Sequence, residues 1–355
     1  MKYKPNWPEA KERLTALWHH RRGDRPCIAV TAPDGDKQPL PIARRDEDLW
    51  LDPGYIVQRA LAAFANTYYG GEAIPSTLNM AGWVVNTYGA TPRFSKETIW
   101  FDPIEVDWNQ PPTFQLNWQD PYLHKVTAVH QALLQAAGKD DFLIGHGAFM
   151  PAVDMLAFII GTPNVLLAMS DHPEWTRRAI LQLTENWIAL HRHFFALSRP
   201  THDFWYGNAG WMPFWAPELY ISTQADIGCM ISVDMFADFV APGLDRTGEA
   251  FNNVWYHLDG QGAFHHLPRL LALPYIKVIQ FSPEAGTPAN GPAHLELYRK
   301  IQAAGKIVHI NVPAAHVEPL VKALDPALLM LATSCNSIAA ADDLLAAAGR
   351  WTRGK

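Results

Sequence analysis

The side chains of this chain best suited to chemistry fall just beyond short β-type runs. The segment Trp255-Tyr256-His257-Leu258-Asp259-Gly260-Gln261-Gly262 reads as the end of a strand. Alternation sets His257 and Asp259 on one face and Tyr256 and Leu258 on the other. An imidazole and a carboxylate side by side, followed by two glycines, can offer a nitrogen and an oxygen to a ligand. The plainer alternative is that Asp259 caps a helix starting near Gly262, with His257 hydrogen-bonded to it. Leu331-Ala332-Thr333-Ser334-Cys335-Asn336 places a thiol in a polar strand end. Cys229, in Asp226-Ile227-Gly228-Cys229-Met230-Ile231-Ser232, supplies another, and Glu284 follows a further strand in a Gly/Pro turn. For Cys229 a core position is the plainer reading, for Glu284 a solvated loop, and for His309, within a strand, a satisfied core imidazole. Zinc accepts thiolate, imidazole and carboxylate ligands, and a catalytic zinc keeps one position open. His257, Cys335, Cys229 and Glu284 form a chemically sensible set of metal ligands. No Cys-x-x-Cys motif supports the set, so it depends on convergence in space.

Such convergence has to come from the secondary structure. β-Branched and aromatic runs predict eight strands, at Cys27–Thr31, Ala73–Leu78, Phe142–Gly147, Asp203–Gly207, Asn253–Leu258, Tyr275–Phe281, Ile307–Val312 and Leu328–Ala332. Helical spacing lies between them. Val317, Leu320, Val321 and Leu324 follow i, i+3, i+4, i+7, as do His294, Leu297, Tyr298 and Ile301. Asp52-Pro53 has the form of an N-cap with proline at the first helical position, Ser232 that of another N-cap, and Gly305 that of a helix stop. Eight strands each followed by a helix predict an α/β fold, a single (β/α)8 TIM barrel over 1–355 with long insertions in its first half. Ala81–Pro121, rich in Trp, Asn and Pro, reads as one such loop. The rival is an open doubly wound sheet, against which no Gly-x-Gly-x-x-Gly follows an early strand. In a barrel the active site lies at the carboxyl ends of the strands. Asn79, after the second strand, and Tyr206, Asn208, Trp211 and Asp226, after the fourth, are therefore expected to line the pocket. Buried aromatics in a turn are an equal alternative for the Tyr206–Trp211 stretch.

Composition narrows the functional classes. The 29 basic and 35 acidic residues give a net charge of −6, with no basic stripe to neutralise phosphates, so a nucleic-acid partner is not expected. An apolar content of 48% with 18% charge excludes disorder. Three scattered cysteines, Cys27, Cys229 and Cys335, make no disulfide framework. The densest apolar stretch, Leu156-Ala157-Phe158-Ile159-Ile160, is broken by Asp154 and Gly161 and is too short to span a bilayer. A cytoplasmic protein without a membrane partner is the expectation, and whether two copies pair is left open.

At this point the sequence resembles the uroporphyrinogen decarboxylase superfamily, which includes zinc-dependent methyltransferases that act with corrinoid proteins. The likeness is carried by Met230-Ile231-Ser232-Val233-Asp234-Met235-Phe236-Ala237-Asp238-Phe239-Val240-Ala241-Pro242, by the Tyr256-His257-Leu258-Asp259-Gly260 turn, and by Tyr298-Arg299-Lys300-Ile301-Gln302-Ala303-Ala304-Gly305-Lys306. Gly145-His146-Gly147-Ala148-Phe149-Met150 is similar to the third-strand loop of the decarboxylases and implies a substrate contact by His146. The family fold is a TIM barrel. Decarboxylases grip a polyanionic porphyrinogen with an arginine-rich loop after the first strand. Here that strand runs on as Thr31-Ala32-Pro33-Asp34-Gly35-Asp36, and acids in place of guanidinium groups would repel such a substrate. Pro75-Ser76-Thr77-Leu78-Asn79-Met80 lacks the family's pyrrole-orienting aspartate, and the tyrosine of the third-strand helix gives way near Asp154-Met155. The methyltransferase branch binds zinc through His-x-Cys on the fifth strand and a Cys after the eighth. His257 matches the first ligand and Cys335 the last, whereas Asp259 stands where the middle cysteine would be.

The resemblance thus implies zinc-assisted methyl transfer between a small methylated substrate or thiol and a corrinoid carried by a partner protein. Three explanations of the departure stay open: Asp259 replaces a thiolate, Cys229 moves in from its loop, or metal binding has been lost. Fewer thiolates would make zinc a stronger Lewis acid, which keeps an oxygen-bearing methyl donor open. Asp259, Asp226 and Tyr206 are the expected catalytic groups. A decarboxylase-like lyase without metal is the first alternative. A glycoside hydrolase using Asp226 with Glu284 is the second, and a non-catalytic corrinoid- or tetrapyrrole-binding protein the third.

Overall fold

The computed structural model describes residues 1–35, 37–78, 84–145, 151–198 and 212–353. Within them run the strands β1 (Cys27–Pro33), β2 (Thr67–Gly71), β3 (Ser76–Leu78), β4 (Thr91–Phe94), β5 (Ile99–Asp102), β6 (Leu143–Gly145), β7 (Ile221–Thr223), β8 (Val254–Asp259), β9 (Ile276–Ser282), β10 (Ile307–Asn311) and β11 (Leu329–Ser334). Seven form one sheet in the order β2-β1-β11-β10-β9-β8-β7; β3 pairs with β6, and β4 with β5. All neighbours in the large sheet are parallel except β2, which runs antiparallel to β1. The β3–β6 pair is parallel too.

The fold is therefore α/β around a mainly parallel sheet. Among the described residues eight strands take part in parallel pairings, six in the sheet and two in the separate pair, and the described pairings do not join the two groups. Seven of these eight coincide with expected strands. The eighth is β7, Ile221–Thr223, which the sequence pattern misses because only three residues carry it. The expected strand Asp203–Gly207 lies outside the described residues. β2 was not expected either. It is held on β1 by a turn at Gly71, whose φ of +54° and close approach to the Ile28 carbonyl exclude a side chain. Just beyond, buried Glu72 accepts from the Ile28 N–H at 2.7 Å and pairs with Arg25 at 2.6 Å.

Strand alternation divides the core in two. Tyr256, Leu258, Ile279, Phe281, Ile310 and Leu331 point into the layer of surrounding helices. Trp255, Val278, Ile307 and Met330 point the other way and meet Leu14, Leu17 and Trp18 of the N-terminal helix Trp7–Trp18. Helices Leu295–Ala303 and Ala314–Ala323 bury the expected faces, Leu297, Tyr298 and Ile301 on one and Val317, Leu320 and Val321 on the other. Each such side chain is worth roughly 1.5–3 kcal/mol of burial. Asp52 accepts from the Tyr55 N–H at 2.7 Å ahead of Pro53, and Ser232 accepts from Met235 N–H at 3.1 Å, both as N-caps. The described part of the 81–121 stretch is elaborated as expected, with a helical turn at Val84–Tyr88 and the β4–β5 hairpin. No single helix among the described residues is long and apolar enough to cross a membrane.

Candidate active site at the carboxyl ends of the strands

Because β8, β9, β10, β11 and β1 run parallel, their carboxyl ends open at one rim. His257 lies opposite Gln280 of β9 in the register. Its Nδ1 donates to Gln280 Oε1. The Gln280 amide is turned that way because its Nε2 donates to Ser282 Oγ at 3.0 Å. With the proton on Nδ1, Nε2 is the basic nitrogen, and it faces Asp259 Oδ1 at 3.7 Å. Burial lowers the His257 pKa against the opposing pull of Gln280 and Asp259, so the ring is neutral near pH 7.

Asp226 reaches the same place from the turn after β7. That turn, Asp226–Met230, is pinned by Asp154, a buried carboxylate in the first turn of helix Ala152–Ile160. Asp154 accepts from the N–H of Asp226 at 3.0 Å and of Ile227 at 3.2 Å. Gln224 Nε2 donates to Asp226 Oδ2 at 2.5 Å. One ligand atom each from Asp226, His257 and Asp259 then lies within 4.8 Å of the other two. Crowding by protein, followed by the negative charges of Asp154 and Asp259, pushes the Asp226 carboxyl well above the usual range. Burial also raises Asp154, against the hydrogen bonds it accepts. Such a cluster either retains a proton or accommodates a cation. One imidazole nitrogen and two carboxylates suit a divalent metal with nitrogen and oxygen ligands, zinc among them.

The other expected metal ligands are placed differently. Glu284 Oε1 accepts from the Gly262 N–H at 2.9 Å and lies so close over Gly260 (φ +67°) that a Cβ there would meet its Cγ at 2.5 Å. Glu284, not Asp259, thus satisfies the turn at Gly262, which answers the capping alternative. Cys229 is exposed, not core; its Sγ donates to the Asp226 carbonyl at 3.2 Å, beside Gly262. Burial, then the charges of Asp259 and Asp226, keeps that thiol protonated. Cys335 does not join His257. Its N–H continues the ladder to Thr31 O at 2.8 Å, and its side chain packs with Val30, Ala32, Ala341, Leu344 and Leu345 on the far side of the sheet. The reason is the two-residue period: Ser334 lines the inner side, so the next residue turns out. Asn79, His146, Tyr206, Asn208 and Trp211 lie outside the described residues.

The sequence reading did not count Asp154, Gln224 and Gln280 among the site residues, although it met Asp154 where the family tyrosine gives way. Asp154 was readable as an acid inside the apolar helix AVDMLAFII, and Gln280 as the polar interruption of IKVIQFS. What each one touches could not be read from the chain.

A cavity of about 430 Å³ opens between β1, β10 and β11, with Thr31, His309, Asn311 and Ser334 in its wall. His309, fully buried, accepts at Nδ1 from Trp255 Nε1 at 3.1 Å, while its Nε2 has no hydrogen-bond partner among the described residues. The expected satisfied core histidine is thus only half satisfied, at a cost of about 1–3 kcal/mol.

No family model and no curated protein matches the chain. Among solved structures, a methyltransferase from Methanosarcina mazei superposes with a TM-score of 0.62 over 96% of this chain and 98% of that one, at 14% identity. At that identity the likeness establishes a shared α/β fold along the whole chain.

Proposed function

We propose that the chain is a methyltransferase whose reaction is assisted by a divalent metal, zinc first among the candidates. The transfer runs between a small methylated substrate and a corrinoid held by a partner protein. The observation that carries this reading is the meeting of Asp226, His257 and Asp259 at the strand ends. The methyltransferase with the same fold supports it, as does the resemblance in the 230–306 region. If the eight parallel strands form one (β/α)8 barrel, the cluster sits where such barrels do their chemistry.

His257 Nε2 and one oxygen each of Asp226 and Asp259 would hold the metal, which when bound polarises a substrate heteroatom and lowers its pKa. Gln280 keeps the His257 proton on Nδ1, so Nε2 is the unprotonated nitrogen of the ring. Asp154 fixes Asp226 through the backbone, without contributing an atom to the cluster. Asp226, whose carboxyl is pushed above the usual range, would have to give up a proton to hold a metal. Compared with a thiolate-rich set, two carboxylates leave the metal more electron-poor, which favours an oxygen-bearing methyl donor over a thiol acceptor.

The raised pKa of Asp226 favours a second reading, a decarboxylase-like lyase without metal in which Asp226 is a general acid. Metal analysis of protein purified without chelator separates the two. Near-stoichiometric metal that drops in His257→Ala, with methylation of a reduced corrinoid followed by its visible spectrum, is the expected result. Metal-free protein that does not take up zinc would overturn the metal-assisted reading.

A further inference from the structure

The groups of the Asp226–His257–Asp259 cluster come from two arms of the chain. His257 and Asp259 end β8, while Asp226 stands on the turn after β7. The β7–β8 pairing closes at Thr223 and Tyr256, short of Asp226, so the strand ladder does not itself set how far apart the two arms stand. Another set of contacts lies beyond the ladder. The helical turn Gln261–His266, which follows β8, sends two consecutive imidazoles back to the Asp226–Met230 turn and the residue after it. His266 Nε2 donates to the Gly228 carbonyl at 2.9 Å, and His265 Nε2 to the Ile231 carbonyl at 2.9 Å. A carbonyl oxygen can only accept, so each ring carries a proton on Nε2. His266 is 1% exposed. Its ring stacks on Phe236 with centroids 4.1 Å apart, and the His265 ring lies 3.8 Å from it.

We propose that His265 and His266 are positioning residues for Asp226: they tie the turn after β7 to the segment after β8 and so set the spacing of Asp226 from His257 and Asp259. Asp154 grips the start of the turn through the N–H groups of Asp226 and Ile227. The two histidines hold its far end through the Gly228 and Ile231 carbonyls. One anchor leaves a turn able to pivot, whereas anchors at both ends fix it. Asp259 and the two histidines belong to one continuous stretch of chain, so the tie spans the same gap that a shared cation would span. Side chains that hold a ligand-bearing segment without touching the cation act on affinity as outer-shell partners do. That consequence rests on the metal-assisted reading; the tie itself does not.

Amide hydrogen exchange of the metal-free, full-length protein, joined to zinc titration, tests the tie. His266→Phe keeps a ring against Phe236 but has no N–H to donate. It is expected to speed exchange of the Asp226 and Ile227 amides about tenfold, as local opening of the turn becomes easier, while the β8 amides keep their wild-type rates. Zinc affinity is expected to fall about 10–100-fold. His266→Gln, which restores a side-chain N–H, is expected to bring both quantities back to within about threefold of wild type. Should His266→Phe not fold, His265→Ala, at an exposed position, is expected to speed the same two amides about threefold. Unchanged exchange at Asp226 and Ile227 in a folded His266→Phe, or in His265→Ala where that variant has to serve, would overturn the proposal. So would equal acceleration along β8, which marks general loosening, or faster exchange that His266→Gln does not reduce. Wild-type zinc affinity in His266→Phe despite faster exchange would overturn the positioning role. A wild type that takes up no zinc would strike the metal-assisted reading, and the exchange rates would then decide the tie.

Discussion

On β8 and β9 the inner positions near the strand ends carry His257, Gln280 and Asp259, whereas on β10, β11 and β1 they carry His309, Asn311, Ala332, Ser334 and Thr31. The first half, joined by Asp226, gathers negative charge around a basic nitrogen. The groups named in the second are neutral, with a donor fixed by Trp255. Each half also orients a histidine, in opposite senses. Gln280 accepts from Nδ1 of His257 and makes its Nε2 basic; Trp255 donates to Nδ1 of His309 and makes its Nε2 a donor. Imidazole rings on nearby parallel strands thus acquire opposite characters from their neighbours alone, one with a basic Nε2 and the other with a protonated one.

Removing the ring that anchors the charged half should do most damage. His257→Ala is expected to weaken zinc binding more than about 100-fold, beyond the effect of outer-shell partners, as read by metal content after dialysis. Gln280→Ala keeps the ligand but frees the ring, and a loss of about 10–100-fold is expected. A loss as large as that of His257→Ala would mean that Gln280 holds the metal itself, and no loss would mean that the tautomer is set elsewhere.

The pH dependence separates the halves next. Asp226 and Asp154 have folded pKa values raised above their unfolded ones, so the metal-free native state binds more protons than the unfolded chain above about pH 4. Metal-free stability from these groups is complete below that pH and falls as pH rises through the folded values. Urea melts at pH 5 and pH 8 should differ by an amount on the order of 1 kcal/mol from this source, once screening of the exposed Asp226 is allowed for. Asp226→Asn should shrink that difference, whereas His309→Gln should leave it unchanged. The smallest effect is expected from Cys335→Ser. With its side chain on the far side of the sheet, zinc affinity should stay within about twofold and stability within about 1 kcal/mol. A large loss of zinc would return Cys335 to the ligand set.

The strands were largely legible because a buried parallel strand is written as a run of apolar residues. β7 and β2 escaped because three residues, or a glycine-rich pair, carry too little pattern. Of the candidate site, the shared face of His257 and Asp259 followed from a two-residue period. The same rule, applied one residue further along β11, would have turned Cys335 away from them. Glu284 was readable as an acid in a turn, but its bond to the Gly262 N–H depends on where β9 ends relative to β8.

By itself the sequence determined which residues alternate, where strands and helices begin, and that acids and histidines gather after the strands. These are local properties, set by backbone periodicity and by capping side chains within a few residues of one another. Only the tertiary structure decided that Asp154 grips the turn carrying Asp226, and that Gln280 and Trp255 set opposite tautomers on two histidines. Those outcomes depend on register and on contacts between residues tens of positions apart, and no local pattern encodes a distance of that kind.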